Sequence, residues 1–284
     1  MIAIYEEANR ERGVGVPTNE RIHYLADMLP RLSQEMEVKE RLVLEILAFG
    51  ALERDLQGVD LSGTNLSGAW MDQVILAEAN LRGAGLSNSR LRDADLSMAN
   101  LREARLDSAD LTGTTATGAD LSEASLVNAN LYAADLKGAT LVKATLTGVN
   151  GYEADLSDAD LTGADLRGSS LFRINLQRAE LGKADLRGVV LSWAHLQEAK
   201  LSFADLRDAE LINADLEGAI LRHANLQGAQ FWDPEIKNEE FRYAKLKGAD
   251  LSYADLTGAK VTAEQLAEAA SLKGAIMPDG TRHE

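Results

Sequence analysis

A leucine recurs at every fifth residue, and it keeps one phase through most of the chain. From Leu56 the step of five visits Leu61, Leu66, Met71, Leu76 and Leu81 and runs on to Leu256; of its 41 stops only Met71, Ala116, Gly151, Phe231, Ile236 and Phe241 are not Leu. Two residues before each stop sits a small residue, usually Ala, as at Ala94, Ala99, Ala104 and Ala109. Between the two sits Asp or Asn, as at Asp95, Asn100 and Asp110. A repeat this strict specifies stacked similar units and needs no central globular core. The phase reads as free of any insertion.

The period excludes a helix. Five residues on a 3.6-residue helix advance about 140° past one full turn, so the leucines would wind around the axis. In extended chain, residues two apart share a face, which puts Ala and Leu on one side and the Asp or Asn between them on the other. The two residues after each Leu are often Ser-Gly, Thr-Gly or Arg-Gly, as at Ser62-Gly63, Thr112-Gly113 and Arg167-Gly168, a turn signature. The expected path is therefore short strand, corner, short strand, with the apolar residues inside. Asp165-Leu166-Arg167 returns at Asp185-Leu186-Arg187 and Asp205-Leu206-Arg207, and Tyr132, Tyr152 and Phe172 share one position of the repeat. These twenty-residue returns favour four sides per turn, although fifteen or twenty-five would also keep the phase.

The chain here closely resembles the pentapeptide-repeat family, with its A(D/N)LXX pattern, in Ala94-Asp95-Leu96-Ser97-Met98, Ala159-Asp160-Leu161-Thr162-Gly163 and Ala254-Asp255-Leu256-Thr257-Gly258. The strict Ala and Leu usage looks most like its cyanobacterial members. The resemblance implies an all-β solenoid, a right-handed quadrilateral β-helix of four pentapeptides per coil. A little over ten coils, at the roughly 4.8 Å between neighbouring strands, would make a rod of about 50 Å.

Three segments are expected. Residues 1–50 are read as an N-terminal α-helical cap: one helix from Thr18 with Ile22, Leu25, Ala26 and Leu29 on one face, stopped at Pro30, and a second from about Gln34 to Phe49. Residues 51–261 are the repeat. Residues 262–284 are read as a short C-terminal helical cap and tail, with Thr262 capping a helix that begins at Ala263. Caps are needed because an open solenoid end exposes apolar side chains and unpaired backbone. The first residues are acidic where a signal peptide would be apolar, and no stretch approaches a membrane span; a cytoplasmic protein that does not bind membranes is expected.

The chain has no Cys and a net charge of −16. That balance argues against direct nucleic-acid binding, which needs a basic face. His195 and His223 are 28 residues apart, not a multiple of twenty, so they should not stack, and all four histidines read as ordinary surface or tail residues. No metal site, cofactor site or catalytic residue is assigned, and the chain reads as non-enzymatic. The Asp165/Asp185/Asp205 and Arg167/Arg187/Arg207 columns should form a salt-bridge lattice. The column Tyr132, Tyr152, Phe172, continued by Trp193, Ile212 and Trp232, is the candidate face for a protein partner, since contiguous exposed apolar residues mark interaction surfaces. Pro234 and Glu239 break the inward positions, so a locally distorted coil is expected there. The family resemblance implies an alternative, a DNA-mimicking binder of DNA gyrase as in quinolone-resistance proteins, against which stands the apparent lack of any inserted loop. An end cap would be the contact for a homodimer.

Overall fold

A computed structural model describes residues 55–238 and 242–284. The helical hairpin expected within residues 1–50 lies outside the described residues, as does Glu239.

The repeat closes on itself every twenty residues. Asp185 bridges Asp205, Asn175 bridges His195 and Thr140 bridges Asp160, all in parallel. Each side is a single bridge residue and not an extended strand. We number the sides by the leucines of one coil: Leu181 on side 1, Leu186 on side 2, Leu191 on side 3 and Leu196 on side 4. Leu186 N–H donates to Asp205 O at 2.7 Å, Gly188 N–H to Arg207 O at 2.9 Å, and Asp185 N–H back to Ala164 O at 2.9 Å, so every coil is tied to both neighbours. The Ala and Leu columns fill the interior and are almost wholly buried.

The corners explain the rest of the motif. The residue after each small one caps its own turn: Asp185 Oδ1 accepts the Arg187 N–H at 3.3 Å and Asp155 Oδ1 accepts the Ser157 N–H at 2.8 Å. Asp and Asn carry a short side-chain acceptor suited to this, and a hydroxyl does it more weakly, as where Ser271 Oγ accepts the Lys273 N–H at 3.3 Å. Where the position is Arg90, a carboxylate from the coil below takes over, and Asp72 Oδ1 accepts the Arg92 N–H at 3.1 Å. The turn itself closes from Val189 N–H to Leu186 O at 3.2 Å. Its second central residue has positive φ, 62° at Gly188, as a type II turn demands.

The two volume defects differ. Ala116 leaves an apolar void of about 10 Å³ among Leu96, Leu121 and Leu136. Gly151 leaves none: a Cβ there would meet Leu171 Cδ2 at 2.7 Å, so Leu171 of the next coil, more than Val149, has moved into the space.

The unbroken phase proves deceptive. Glu210 still bridges Gln230, but Asp215 bridges Lys245, Ile220 bridges Asp250 and Gln230 bridges Lys260: the step has grown from twenty to thirty. Residues 232–243 therefore fill a corner that elsewhere holds two residues, closed by Ala244 N–H to Phe231 O at 2.7 Å. The insertion is ten residues, two whole pentapeptides, which is why the leucine phase survives it. The expectation of an uninterrupted coil is thus corrected, and the coil is half a turn shorter than the count of stops implies. Leaving the coil spares Pro234 an inward position it could not fill. Trp232 and Tyr243 pair antiparallel at the neck, with rings 6.1 Å apart, and Arg242 Nε donates to Ile236 O at 2.8 Å.

Helix α1, Ala263–Ala267, follows Thr262, whose side chain and that of Gln265 form a capping box. It takes the place of side 4 in the last coil. Buried Gln265 then supplies what that side's backbone would have given: Nε2 donates to Ala244 O at 2.9 Å and to Phe231 O at 3.2 Å, the carbonyls on either side of the loop neck. Its Oε1 accepts the Thr262 N–H at 2.9 Å.

Candidate functional site

Four of the six expected partner-face residues form one stack on the corner between sides 3 and 4. Tyr132 and Tyr152 lie 5.5 Å apart, Tyr152 and Phe172 5.6 Å, and Phe172 and Trp193 6.3 Å, the last pair tilted. Trp193 occupies the second corner position, at φ 65°, where a bulky residue is strained unless the surrounding turn imposes the geometry. Ile212 is half-buried one coil on, its carbonyl accepting the Trp193 N–H at 2.9 Å. Trp232 does not extend the stack along the coil; it opens the inserted loop and packs on Tyr243. The loop leaves from the same corner that carries the aromatics.

Beside Trp193 the corner opens into a depression of about 320 Å³. Trp193 forms one wall, His195 and Asn213 lie along it, and two ion pairs flank it: Arg173 to Glu153 at 3.3 Å and Lys245 to Asp215 at 3.1 Å. The Arg173 guanidinium is 5.6 Å from the ring centres of both Phe172 and Trp193, within cation–π range. Of these neighbours the sequence singles out only His195, and that as an ordinary surface residue. Lys245 joins Asp215 only because of the thirty-residue step, so the signal exists only once the insertion is known.

A second stack was missed altogether. Phe203, His223 and Tyr253 lie face to face at 4.8 and 4.9 Å on the diagonally opposite corner, with Gly274 close above Tyr253. His223 is therefore no ordinary surface histidine. His195 stacks with Asp215 and Asn175 on side 4, apart from it.

The acidic columns on side 2 form the expected lattice. Arg187 clamps Asp185 with two bonds of 2.8 and 2.6 Å and reaches Asp205 of the next coil at 3.7 Å; Arg167 does the same to Asp165 and Asp185. Hydrogen bonding from arginine holds the carboxyls of Asp165, Asp185 and Asp205 below their ordinary value, against an opposing effect of partial burial. A carboxyl depressed in the folded state stabilises the fold above its unfolded value, about 3.9 for Asp, and loses that contribution as pH falls through the folded value. The melting midpoint should therefore hold steady from neutrality to about pH 5 and drop below about pH 4. In the triple variant Asp165→Asn, Asp185→Asn, Asp205→Asn that acid drop should be shallower; an equal drop in both chains would remove the lattice from the explanation.

Among the described residues, no three His, Asp or Glu side chains converge as a metal ion requires, and no helix is long and apolar enough to cross a membrane.

The profile of Pentapeptide repeats matches residues 55–93, 129–168, 174–211, 199–231 and 240–262, eight copies in all. The chain belongs to the pentapeptide-repeat family. Within the family it is similar to HetL, a pentapeptide repeat protein involved in heterocyst differentiation regulation from the cyanobacterium Nostoc sp. strain PCC 7120. That match has 35% identity and a TM-score of 0.63 and covers 88% of this chain and 100% of HetL. A pentapeptide repeat protein, Rfr23, from the cyanobacterium Cyanothece 51142 is 32% identical over 38% of this chain and 87% of its own, at a TM-score of 0.21. QnrB1, a plasmid-mediated fluoroquinolone resistance protein, is 19% identical over 76% of this chain and 90% of its own, at a TM-score of 0.44. No curated protein sequence matches the chain.

Proposed function

We propose that the chain is a non-enzymatic scaffold that holds a protein partner along the corner between sides 3 and 4. One observation carries this reading: the stack of Tyr132, Tyr152, Phe172 and Trp193 runs along the same corner from which the inserted loop departs. Aromatic rings offer large contact area at small entropic cost, and interfaces are enriched in them at their centres. Apart from the shorter Phe203, His223 and Tyr253 stack on the opposite corner, many of the remaining columns carry turn caps and ion pairs, which a partner would have to break. On this reading the helix α1 segment and the N-terminal residues close the two ends of the rod, and residues 51–261 form the binding body.

Mimicry of duplex DNA toward gyrase is the weaker reading. The inserted loop answers the objection that the coil is uninterrupted. The arginines that neutralise Asp165, Asp185 and Asp205 still stand against it, because a DNA mimic needs unpaired negative charge.

The double variant Phe172→Ala, Trp193→Ala should lose, by tenfold or more, whatever protein the unaltered chain captures from its native cell, while its circular dichroism stays that of the intact coil. Retention of every captured protein at full yield would sink the scaffold reading of this corner.

A further inference from the structure

Phe203, His223 and Tyr253 turn their rims to solvent. The rings lie face to face at 4.8 and 4.9 Å, tilted by only 3° and 7°, so the faces between them are taken up within the stack. Gly274 sits against Tyr253 at the upper end. Phe203 is nevertheless 58% exposed and Tyr253 43%. An aromatic rim carries the positive end of the ring quadrupole.

Cations bracket this stack along the rod. Lys183 holds the same corner position one coil below Phe203, and Lys273 lies one coil above Tyr253, whose N–H its carbonyl accepts at 2.9 Å. Both lysines are exposed, and neither forms an ion pair among the described residues. The carboxylates alongside are engaged elsewhere: Glu180 by Lys200, Asp205 by Arg207 and Asp250 by Arg222, while Asp255 accepts from Gln227 and Thr257. On a chain of net charge −16, this corner joins exposed rings to uncommitted positive charge.

We propose that the corner between sides 1 and 2 is a second docking surface, whose occupant is an extended acidic segment of a protein partner. Carboxylates would meet Lys183 and Lys273, and backbone carbonyls and apolar side chains would lie along the ring rims. Four coil steps separate the two lysines, about 19 Å at the roughly 4.8 Å strand spacing, which about six extended residues span. Nucleic acid fits less well: the ring faces on which bases would stack are taken up, and the acidic surface beyond the corner repels phosphates. This surface lies diagonally opposite the Tyr132 to Trp193 stack and does not depend on the reading of that corner.

Full-length protein is titrated with an acetylated, amidated hexapeptide of two glutamates, two leucines and two glutamates, followed by the ring resonances of Phe203, His223 and Tyr253. The controls are the same peptide with glutamine or lysine in place of glutamate, and hexathymidylate. The acidic peptide should saturate at about millimolar concentration or below, and weaken as salt rises from about 50 to 500 mM. The glutamine and lysine peptides should bind at least tenfold more weakly. The charge reversal Lys183→Glu, Lys273→Glu should weaken the acidic peptide tenfold or more, and Phe172→Ala, Trp193→Ala should leave it unchanged. Equal binding of the glutamine peptide to the unaltered chain overturns the proposal, whichever way the variants fold. So does hexathymidylate bound as tightly as the acidic peptide, or full binding by the charge-reversed chain. Loss of the peptide in Phe172→Ala, Trp193→Ala would move it to the other corner and overturn the proposal too. A dimer in sedimentation that the charge reversal dissolves would give the surface to a second copy of the chain instead.

Discussion

Gln265→Leu is expected to lower the stability of the chain by about 2 kcal/mol, mainly from the buried Ala244 carbonyl left without a donor at about 1–3 kcal/mol, since Phe231 O keeps the Ala244 N–H. The donors lost are those to Ala244 O and Phe231 O, and the Thr262 N–H loses its acceptor as well. Leucine matches the volume, so packing is not the cause. Gln265→Glu keeps the acceptor for Thr262 but turns a carboxyl toward two carbonyls, and it should be at least as damaging. Chemical denaturation measures the loss. Limited trypsin digestion adds a local readout, because opening the neck should hasten cleavage after Lys237 and Arg242. An unchanged midpoint and an unchanged digestion rate would mean that helix α1 contributes nothing to the neck.

Leu206→Ala should cost about 2–5 kcal/mol, the range for deleting a buried leucine in a core that cannot collapse. Leu206 has no exposed surface and sits in a column with Leu186 and Leu226. The coil hydrogen bonds above and below fix the spacing of those neighbours, so the void should persist. A solenoid residue touches only adjacent coils. Amide exchange should accordingly accelerate from about Leu186 to Leu226 and stay unchanged near Leu81. Uniform acceleration through the whole rod would show that the coils unfold as a single unit.

How much was legible follows from what the repeat does to each residue. Leu and Ala have one role apiece, so their period alone pointed to the solenoid, while the returns of Asp165, Asp185 and Asp205 favoured four sides without excluding three or five. Tyr132, Tyr152 and Phe172 were readable as a column because all three precede the insertion and keep the step of twenty. Phe203 and His223 also keep it, but His223 to Tyr253 is thirty, so that stack straddles the insertion and a search at twenty misses it. Pro234 and Glu239 did signal disturbance at the right place. Its form stayed hidden because ten residues is a whole number of periods, and any other length up to nine except five would have shifted the leucines. The partners of Gln265 were beyond reach for a different reason: they are backbone carbonyls, which leave no mark on residue identity.

The neck of residues 232–243 also separates the length of that segment from the geometry of the rod. Phe231 and Ala244 are joined by a backbone hydrogen bond, Trp232 and Tyr243 pair just outside it, and Gln265 locks both carbonyls from within. Closing a longer flexible segment costs only about 0.6 kcal/mol per doubling of its length. The corner thus behaves as a display port: foreign sequences grafted between Asp233 and Arg242 would be carried at one fixed height on a stiff support, with no coil obliged to move.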